Sequence, residues 1–378
     1  MKHPNIHTPG QPPVHFSLNQ TKTMVPLPTV RSLNAQLAQS HPLVAVFIGG
    51  TAGIGSYTVH ALASTYAAHS TLPLRAYIVG RNRAAAEKIC AECKAVYPRR
   101  EYIFVQAVDL ALLRDVDQVC GEIGELERRR EEEGGERIGR ARVDLLVLTQ
   151  GVLTFSRNES KEGLDSTFSL MYYSRMRFIF QLLPLLTASP LSGRVISVLH
   201  PGMEGQIVPS DLSMRRHSIL RLSMSHQCFM TTFFMEEIAK RHPGKIALSH
   251  VYPGIVMTDM LEHGTVPWWA RALWRWVVGP VMRLWETPGE VCGERLLFLM
   301  GERYPALGTG RKGDGDMGIV TAVDGTLGGG VYNINSVGEV VPTSNKYEKV
   351  RAAGVPDVVW KHTMQVFEEI EAGKVFSG

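Results

Sequence analysis

The 378-residue chain lacks any uninterrupted apolar run approaching the roughly 20 residues that cross a bilayer, so no integral membrane span is expected. It is poor in cysteine: Cys90, Cys93, Cys120, Cys228 and Cys292 are too few for a disulfide framework at this length, which points to a reducing, cytoplasmic compartment. Cys90-Ala-Glu-Cys93 has C-x-x-C spacing, but it lies in a helical pattern with no second pair nearby, so no metal site is expected. Charge of one sign is scarce too. Forty Lys and Arg against 36 Asp and Glu leave +4, too diffuse to argue for a nucleic-acid partner. Two local absences say more. No carboxylate lies between Arg75 and Ala86, and no tyrosine lies between Tyr173 and Tyr252.

What is present is an alternation of short apolar runs with helical patterns. The runs are 44–48, 75–80, 102–110, 143–151, 194–199, 245–254 and 330–335. Buried strands separated by helices mean parallel βαβ units with right-handed crossovers. The expected fold is α/β: a doubly wound, mostly parallel seven-stranded sheet with helices on both faces, spanning about residues 40–340. Residues 1–25, polar and proline-rich, read as a flexible leader, and 341–378 as a C-terminal helical extension. The charged run 125–141 reads as a solvated helix end with an extended loop. Residues 267–285, PWWARALWRWVVGPVMRLW, hold five of the six tryptophans with Arg271, Arg275 and Arg283 between them. They read as a helical flap over 260–290, with at least one Trp facing a pocket. The alternative is a basic amphipathic surface for a membrane or partner.

The first run breaks into Gly49-x-x-x-Gly53-x-Gly55 and then a helix. A strand feeding a glycine turn into a helix sets backbone N–H groups and the positive helix end against a pyrophosphate. Gly49 permits the turn, Gly53 lets the backbone approach the phosphates, and Gly55 lets helix and strand pack closely. Thr51 and Ile54 complete the expected contact set of this loop. The second run ends Gly80-Arg81-Asn82. Where NAD-selective folds place a carboxylate for the ribose hydroxyls, Arg81 and Arg83 can pair with a 2′-phosphate, which favours NADP(H).

With these motifs the chain resembles the short-chain dehydrogenase/reductase family, over about residues 43–260. The resemblance implies a Rossmann-type fold and carries several positions across. Asp109-Leu110 matches the Asp that holds adenine. Thr149-Gln150-Gly151 stands where the family has Asn-Asn-Ala-Gly. Tyr252-Pro253-Gly254-Ile255-Val256-x-Thr258 matches the Pro-Gly motif and the Thr near the nicotinamide amide. The stretch GLDSTFSLMYYSRMRF (163–178) and ISVL (196–199) are similar to a fungal group in this family, some of whose members serve natural-product pathways.

The departures bear on chemistry. The family reduces carbonyls with a Ser–Tyr–Lys set, and its Asn position falls here on Met171. Alignment on Gly193-Arg194-Val195 puts His200 at the Ser position. Without a tyrosine in the stretch, one register places His217 and Arg221 at the Tyr-x-x-x-Lys spacing. His217 is then a candidate general acid and Arg221 a candidate anchor for ribose or oxyanion, with His226 a competitor to His217. Tyr172 and Tyr173 read as core, with a pocket-facing ring as the alternative. Two functions follow. One is an NADPH-dependent reductase of a carbonyl or conjugated C=C in a small organic, polyketide-like substrate. The other is a non-redox nucleotide-binding, cyclase or scaffold protein on the same fold. The oligomeric state stays open.

Overall fold

The seven apolar runs become seven strands of one sheet in the computed structural model, which describes residues 24–98, 100–133, 139–152, 157–217, 220–258, 272–309, 318–342 and 345–378. The strands are β1 (Leu43–Ile48), β2 (Leu74–Gly80), β3 (Glu101–Gln106), β4 (Leu145–Leu148), β5 (Gly193–Val198), β6 (Ile246–Val251) and β7 (Val331–Ile334). Their order is β3-β2-β1-β4-β5-β6-β7, and every pairing is parallel. Every strand except the edge strand β3 is buried along its whole length, which is why the runs read as continuously apolar.

Alternation along each strand divides the core. Val44, Val46 and Ile48 of β1 face one cluster, and Leu43, Ala45 and Phe47 face the other. The first cluster is covered by α4 (Leu113–Glu132), α5 (Ser174–Gln181), α6 (Leu220–Arg241), α8 (Asn345–Ala352) and α9 (Val355–Glu371). The second is covered by α1 (Leu27–Ser40), α2 (Gly53–His69), α3 (Arg83–Val96) and α7 (Gly289–Phe298). The strand order reverses between β1 and β4, so the connections leaving their C-terminal ends diverge and open a crevice there.

The helix α1 was not read from the sequence. It is amphipathic, burying Val30, Asn34 and Ala38, and it is tied to α7 by Arg31 paired with Glu294 at 3.0 Å and by Asn34 Nδ2 donating to the Glu294 carbonyl. Most of the expected leader, 1–23, lies outside the described residues. Val25, at the end of that stretch, is buried, and its carbonyl accepts from Arg295 Nη1. The charged run also departs from a uniformly solvated reading. Arg128 and Arg129 pair with Glu125 at the surface, but Glu127 is buried, accepting from Arg75 at 2.9 Å and from the Tyr77 hydroxyl at 2.6 Å. Residues 134–138 of that run lie outside the described residues.

At the N-terminal edge of the sheet, fully buried Asp144 ties three elements together. Its carboxylate accepts from Val44 N at 2.8 Å, Arg142 Nε at 2.9 Å and Ser189 Oγ at 2.7 Å. Asp144→Ala strands the buried Arg142 charge, and breaking such a pair costs about 3–5 kcal/mol. The expected readout is a lower urea midpoint at unchanged slope. A loss under about 1 kcal/mol would show that these strand ends are held by other means.

Candidate functional site

The glycine turn forms because no side chain fits where its glycines stand. Gly49 and Gly53 have φ of 82° and 52°, a region that favours glycine. A Cβ on Gly49 would lie 2.8 Å from Thr149 Oγ1, and one on Gly55 would run into the Gly49 carbonyl. α2 therefore seats its first turn directly against the ends of β1 and β4. Its N-cap, Ala52, has no side chain to satisfy the first N–H groups, so these remain free for an anion. Thr51 packs on the end of β2, where a Cβ on Gly80 would come within 2.5 Å of its methyl. Ile54 is half-buried against the second core cluster.

Beyond β2 the two arginines separate. Arg83 donates to Gln106 at 2.6 Å, lies over the Phe104 ring and pairs with Glu87. Arg81 is exposed and has no hydrogen bond or ion pair among the described residues. Asn82 caps α3 by accepting from Ala85 N at 3.1 Å. Asp109 is exposed after β3, its carboxylate accepting from Ala111 N. Leu110 turns its side chain into the core, so only its backbone faces outward, while Val108 is the exposed apolar residue there.

The loop after β6 reaches back to the glycine turn. Gly254 has φ of 82° and sits against Thr287 and Ser336, and Thr287 N donates to Ile255 O at 2.7 Å. The Thr258 methyl lies 3.0 Å from the Cβ position of Gly53, so this loop roofs the start of α2. Pro253 and Val256 are half-buried within the loop. Gly151 follows β4, exposed, with Met171 Sδ 3.2 Å from its Cβ position. The positions carried over for the cofactor thus line one edge of the sheet.

The acid–base candidates do not gather in the same way. His200 leaves the end of β5 at that edge. Its Nε2 donates to the Met224 carbonyl at 3.2 Å, which leaves Nδ1 as an acceptor in the neutral ring. Burial lowers its pKa to about 4; the Met224 contact opposes this and the nearby Arg175 charge adds to it. His226 is fully buried and accepts from Val208 N at 2.9 Å; burial lowers it to about 4 as well. Neither ring is a protonated acid at neutral pH.

His217 is half-exposed, with Nδ1 2.8 Å from Asp211 Oδ2. Against the burial that would raise it, the His217 contact and the backbone N–H groups of Arg215, Arg216 and His217 hold Asp211 below the usual carboxylate range. Arg221 is exposed on the first turn of α6, and Ser218 and Ile219 lie outside the described residues. No contact of His217 or Arg221 among the described residues reaches the glycine turn, His200 or the loop 253–258. Lys245 precedes β6 at the opposite edge of the sheet, and Lys240 ends α6. Tyr172 and Tyr173 are core: their hydroxyls bond Thr363 and His362 of α9, each at 2.7 Å. Of the flap, 260–271 lies outside the described residues. Trp276 and Trp285 turn away from the protein, 76% and 64% exposed.

One feature was missed from sequence. Arg175 of α5 is fully buried beneath the crevice with no carboxylate beside it. It donates to the carbonyls of Leu148, Gln150 and Val198 and to Ser197 Oγ, at 2.5–3.2 Å. Burial lowers its pKa to about 9, so it stays charged at neutral pH. Near it, His250 and the Gln150 amide are buried without hydrogen-bond partners among the described residues, and burial, with help from His200 and Arg175, holds His250 neutral. An arginine inside the apolar stretch MYYSRMRF was the available signal. A cavity of about 600 Å³ between α1, α2 and α7 is lined by Arg31, Asn34, His60 and Glu294 among others, and none of its walls belongs to this edge.

No family model matches the chain. Over 354 residues it is 35% identical to the short-chain dehydrogenase/reductase SAT2 of Stachybotrys chartarum, covering 92% of this chain and 98% of that protein. It is 34% identical over 355 residues to the oxidoreductase AN1596 of Emericella nidulans, covering 92% and 99%. Among solved structures, the RhlG/NADP active-site complex of Pseudomonas aeruginosa covers 79% of this chain and 97% of its own at 19% identity, with a TM-score of 0.48.

The buried neutral histidines predict a pH dependence of stability. The His226 pKa is depressed by folding, so below about 6.5, the free imidazole value, the unfolded chain binds more protons than the folded one. Stability is full above that value and falls as pH drops toward 4. A fully buried imidazole with this shift contributes up to about 3 kcal/mol of the loss. His226→Gln keeps the acceptor for Val208 N, and chemical denaturation between those pH values should show a shallower slope. An unchanged slope would mean that His226 is not held neutral.

Proposed function

The chain belongs to the short-chain dehydrogenase/reductase family, and we propose that it uses NADP(H) to reduce a small organic substrate, at a conjugated C=C in preference to a carbonyl. The observation that carries the cofactor is the pairing of an uncapped α2 N-terminus behind the glycine turn with an unpaired Arg81 at the end of β2. The cradle fits: a Cβ on Gly53 would crowd the side of the turn that Thr258 roofs, where a pyrophosphate approaches the backbone, and glycine at 55 lets α2 come close enough to present its first N–H groups there. The N–H groups at 53–55 would hold that group, Arg81 would pair with the 2′-phosphate, and Asp109 and the Leu110 backbone would meet the adenine. Gly151, Pro253, Gly254, Val256 and Thr258 would hold the nicotinamide end. NADPH supplies hydride when bound. This chain's residues set its orientation and proximity to substrate.

Proton supply separates the two substrate classes. Carbonyl reduction needs a proton on the new alkoxide, which this family takes from a tyrosine. Here the His200 Nε2–H is already committed to Met224 O, and neutral Nδ1 accepts a hydrogen bond and donates none. Reduction of an enone or pyrone C=C needs a proton at the α-carbon, which water can deliver. The non-redox reading keeps the same cofactor site and is favoured by the same lack of a donor. NADPH oxidation by enones and pyrones, and not by the matching saturated ketones, is the expected result. Tight NADPH binding without turnover of any of them would leave the non-redox reading.

Arg81→Ala is expected to weaken NADPH binding by about 1.5–3 kcal/mol, the range for charge-assisted hydrogen bonds, while NADH binding barely changes. Calorimetric titration with each cofactor checks this. Equal losses for both would show that Arg81 does not read the 2′-phosphate. His217→Ala should leave C=C reduction within a few-fold of the parent. A fall of ~10²–10⁴, the range for loss of a general acid, would reinstate His217 as the proton donor.

A further inference from the structure

The 14 residues 272–285 carry five of the thirteen large apolar side chains exposed among the described residues. Leu273, Trp276, Val281, Leu284 and Trp285 are 49–78% exposed, whereas the other eight are scattered through the chain. The segment is one uninterrupted helical run that changes pitch along its length, over Trp274–Val278, Gly279–Met282 and Arg283–Trp285. Among its residues whose burial is described, Gly279 alone is buried, against Met257. Trp276 and Trp285 face the outside, while Trp274 is half-buried.

The charge on the patch selects its partner. The side chains of Arg275 and Arg283 are exposed among these rings and have no hydrogen bond or ion pair among the described residues. The sequence has no aspartate or glutamate from His263 to Trp285. Tryptophans flanked by unpaired arginines match a bilayer interface with anionic headgroups, where the rings enter the headgroup boundary and guanidinium groups meet phosphates. A second copy of the chain fits less well, because a two-fold contact would set arginine-bearing patches against each other. We propose that residues 272–285 dock the protein on an anionic membrane surface.

Docking there also orients the candidate site. The segment is fixed at its end to the loop after β6 by Thr287 N donating to Ile255 O, and at Gly279 by Met257. That loop roofs the glycine turn through Thr258. The crevice then opens beside the lipid, a source of apolar substrate. This delivery role rests on the reductase reading; the membrane contact rests on the patch alone. No helix among the described residues is long and apolar enough to cross a membrane, so the contact is with the surface.

The test is flotation of the full-length protein with vesicles of phosphatidylcholine alone or mixed with phosphatidylserine. The expected result is binding to the anionic vesicles only, weakened by salt, with a blue shift of Trp emission. Trp276→Ser with Trp285→Ser, and separately Arg275→Gln with Arg283→Gln, should each reduce binding at least tenfold. NADPH affinity, measured in parallel, should stay at the parent value, so a failure of the cofactor site is read separately. No flotation at low salt, or flotation indifferent to both double variants, would overturn the proposal. A parent dimer that the Trp276→Ser, Trp285→Ser variant converts to monomer would assign the patch to a second copy instead.

Discussion

The fold turns on one steric constraint at the crevice between β1 and β4. A single Cβ on Gly55 would strike the Gly49 carbonyl and crowd Thr149, so α2 comes this close to two strand ends only because glycine stands there. That approach fixes the helix N-terminus at the C-terminal edge of the sheet with its first N–H groups unsatisfied. Thr149 Oγ1 donates to Ile48 O at 2.9 Å and locks β4 to the same turn. The loop after β6 completes the enclosure through Thr258. The unsatisfied N–H groups of this edge follow from backbone geometry, and the proposed selectivity for a 2′-phosphate rests on the exposed, unpaired side chain of Arg81.

Beneath the crevice lies a polar layer of another kind. A fully buried guanidinium is costly unless its donors are met. Arg175 offsets much of this cost through the carbonyls of Leu148, Gln150 and Val198 and through Ser197 Oγ, while its Nε has no partner among the described residues. Its charge disfavours a second positive charge nearby, which adds to the burial that keeps His200 and His250 neutral. The chain has therefore replaced a hydroxyl at the end of β5 with an imidazole that cannot easily take on a proton. The proposed preference for C=C over carbonyl reduction rests on this imidazole and on the lack of a tyrosine on α6.

Much of the fold was legible because buried parallel strands are apolar along their whole length. All seven runs were found, and the sheet is parallel throughout. The helix α1 was missed because its apolar stripe follows directly on a proline-rich polar stretch that masks its start. Glu127 was misread because a charged run gives no sign that one of its members reaches inward to Arg75. The glycine loop was readable as a site because positive φ and close approach both require glycine. The catalytic group was not, since histidines at plausible spacing look alike in sequence. Only burial and partners set His226, buried against Val208, apart from His217, half-exposed on Asp211. Leu110 matched a motif by position, yet its side chain belongs to the core.

The central claim is hydride transfer without a tyrosine donor, and isotope tracing tests it most directly. NADPH deuterated at nicotinamide C4 should deliver deuterium to the β-carbon of an enone. The α-carbon proton should come from solvent, visible by the converse experiment in D2O. Deuterium on the carbinol carbon of a ketone-derived alcohol would show that an efficient acid exists in the site and contradict the account. So would tight NADPH binding with no deuterium in any product, which would make this a nucleotide-binding protein without redox chemistry.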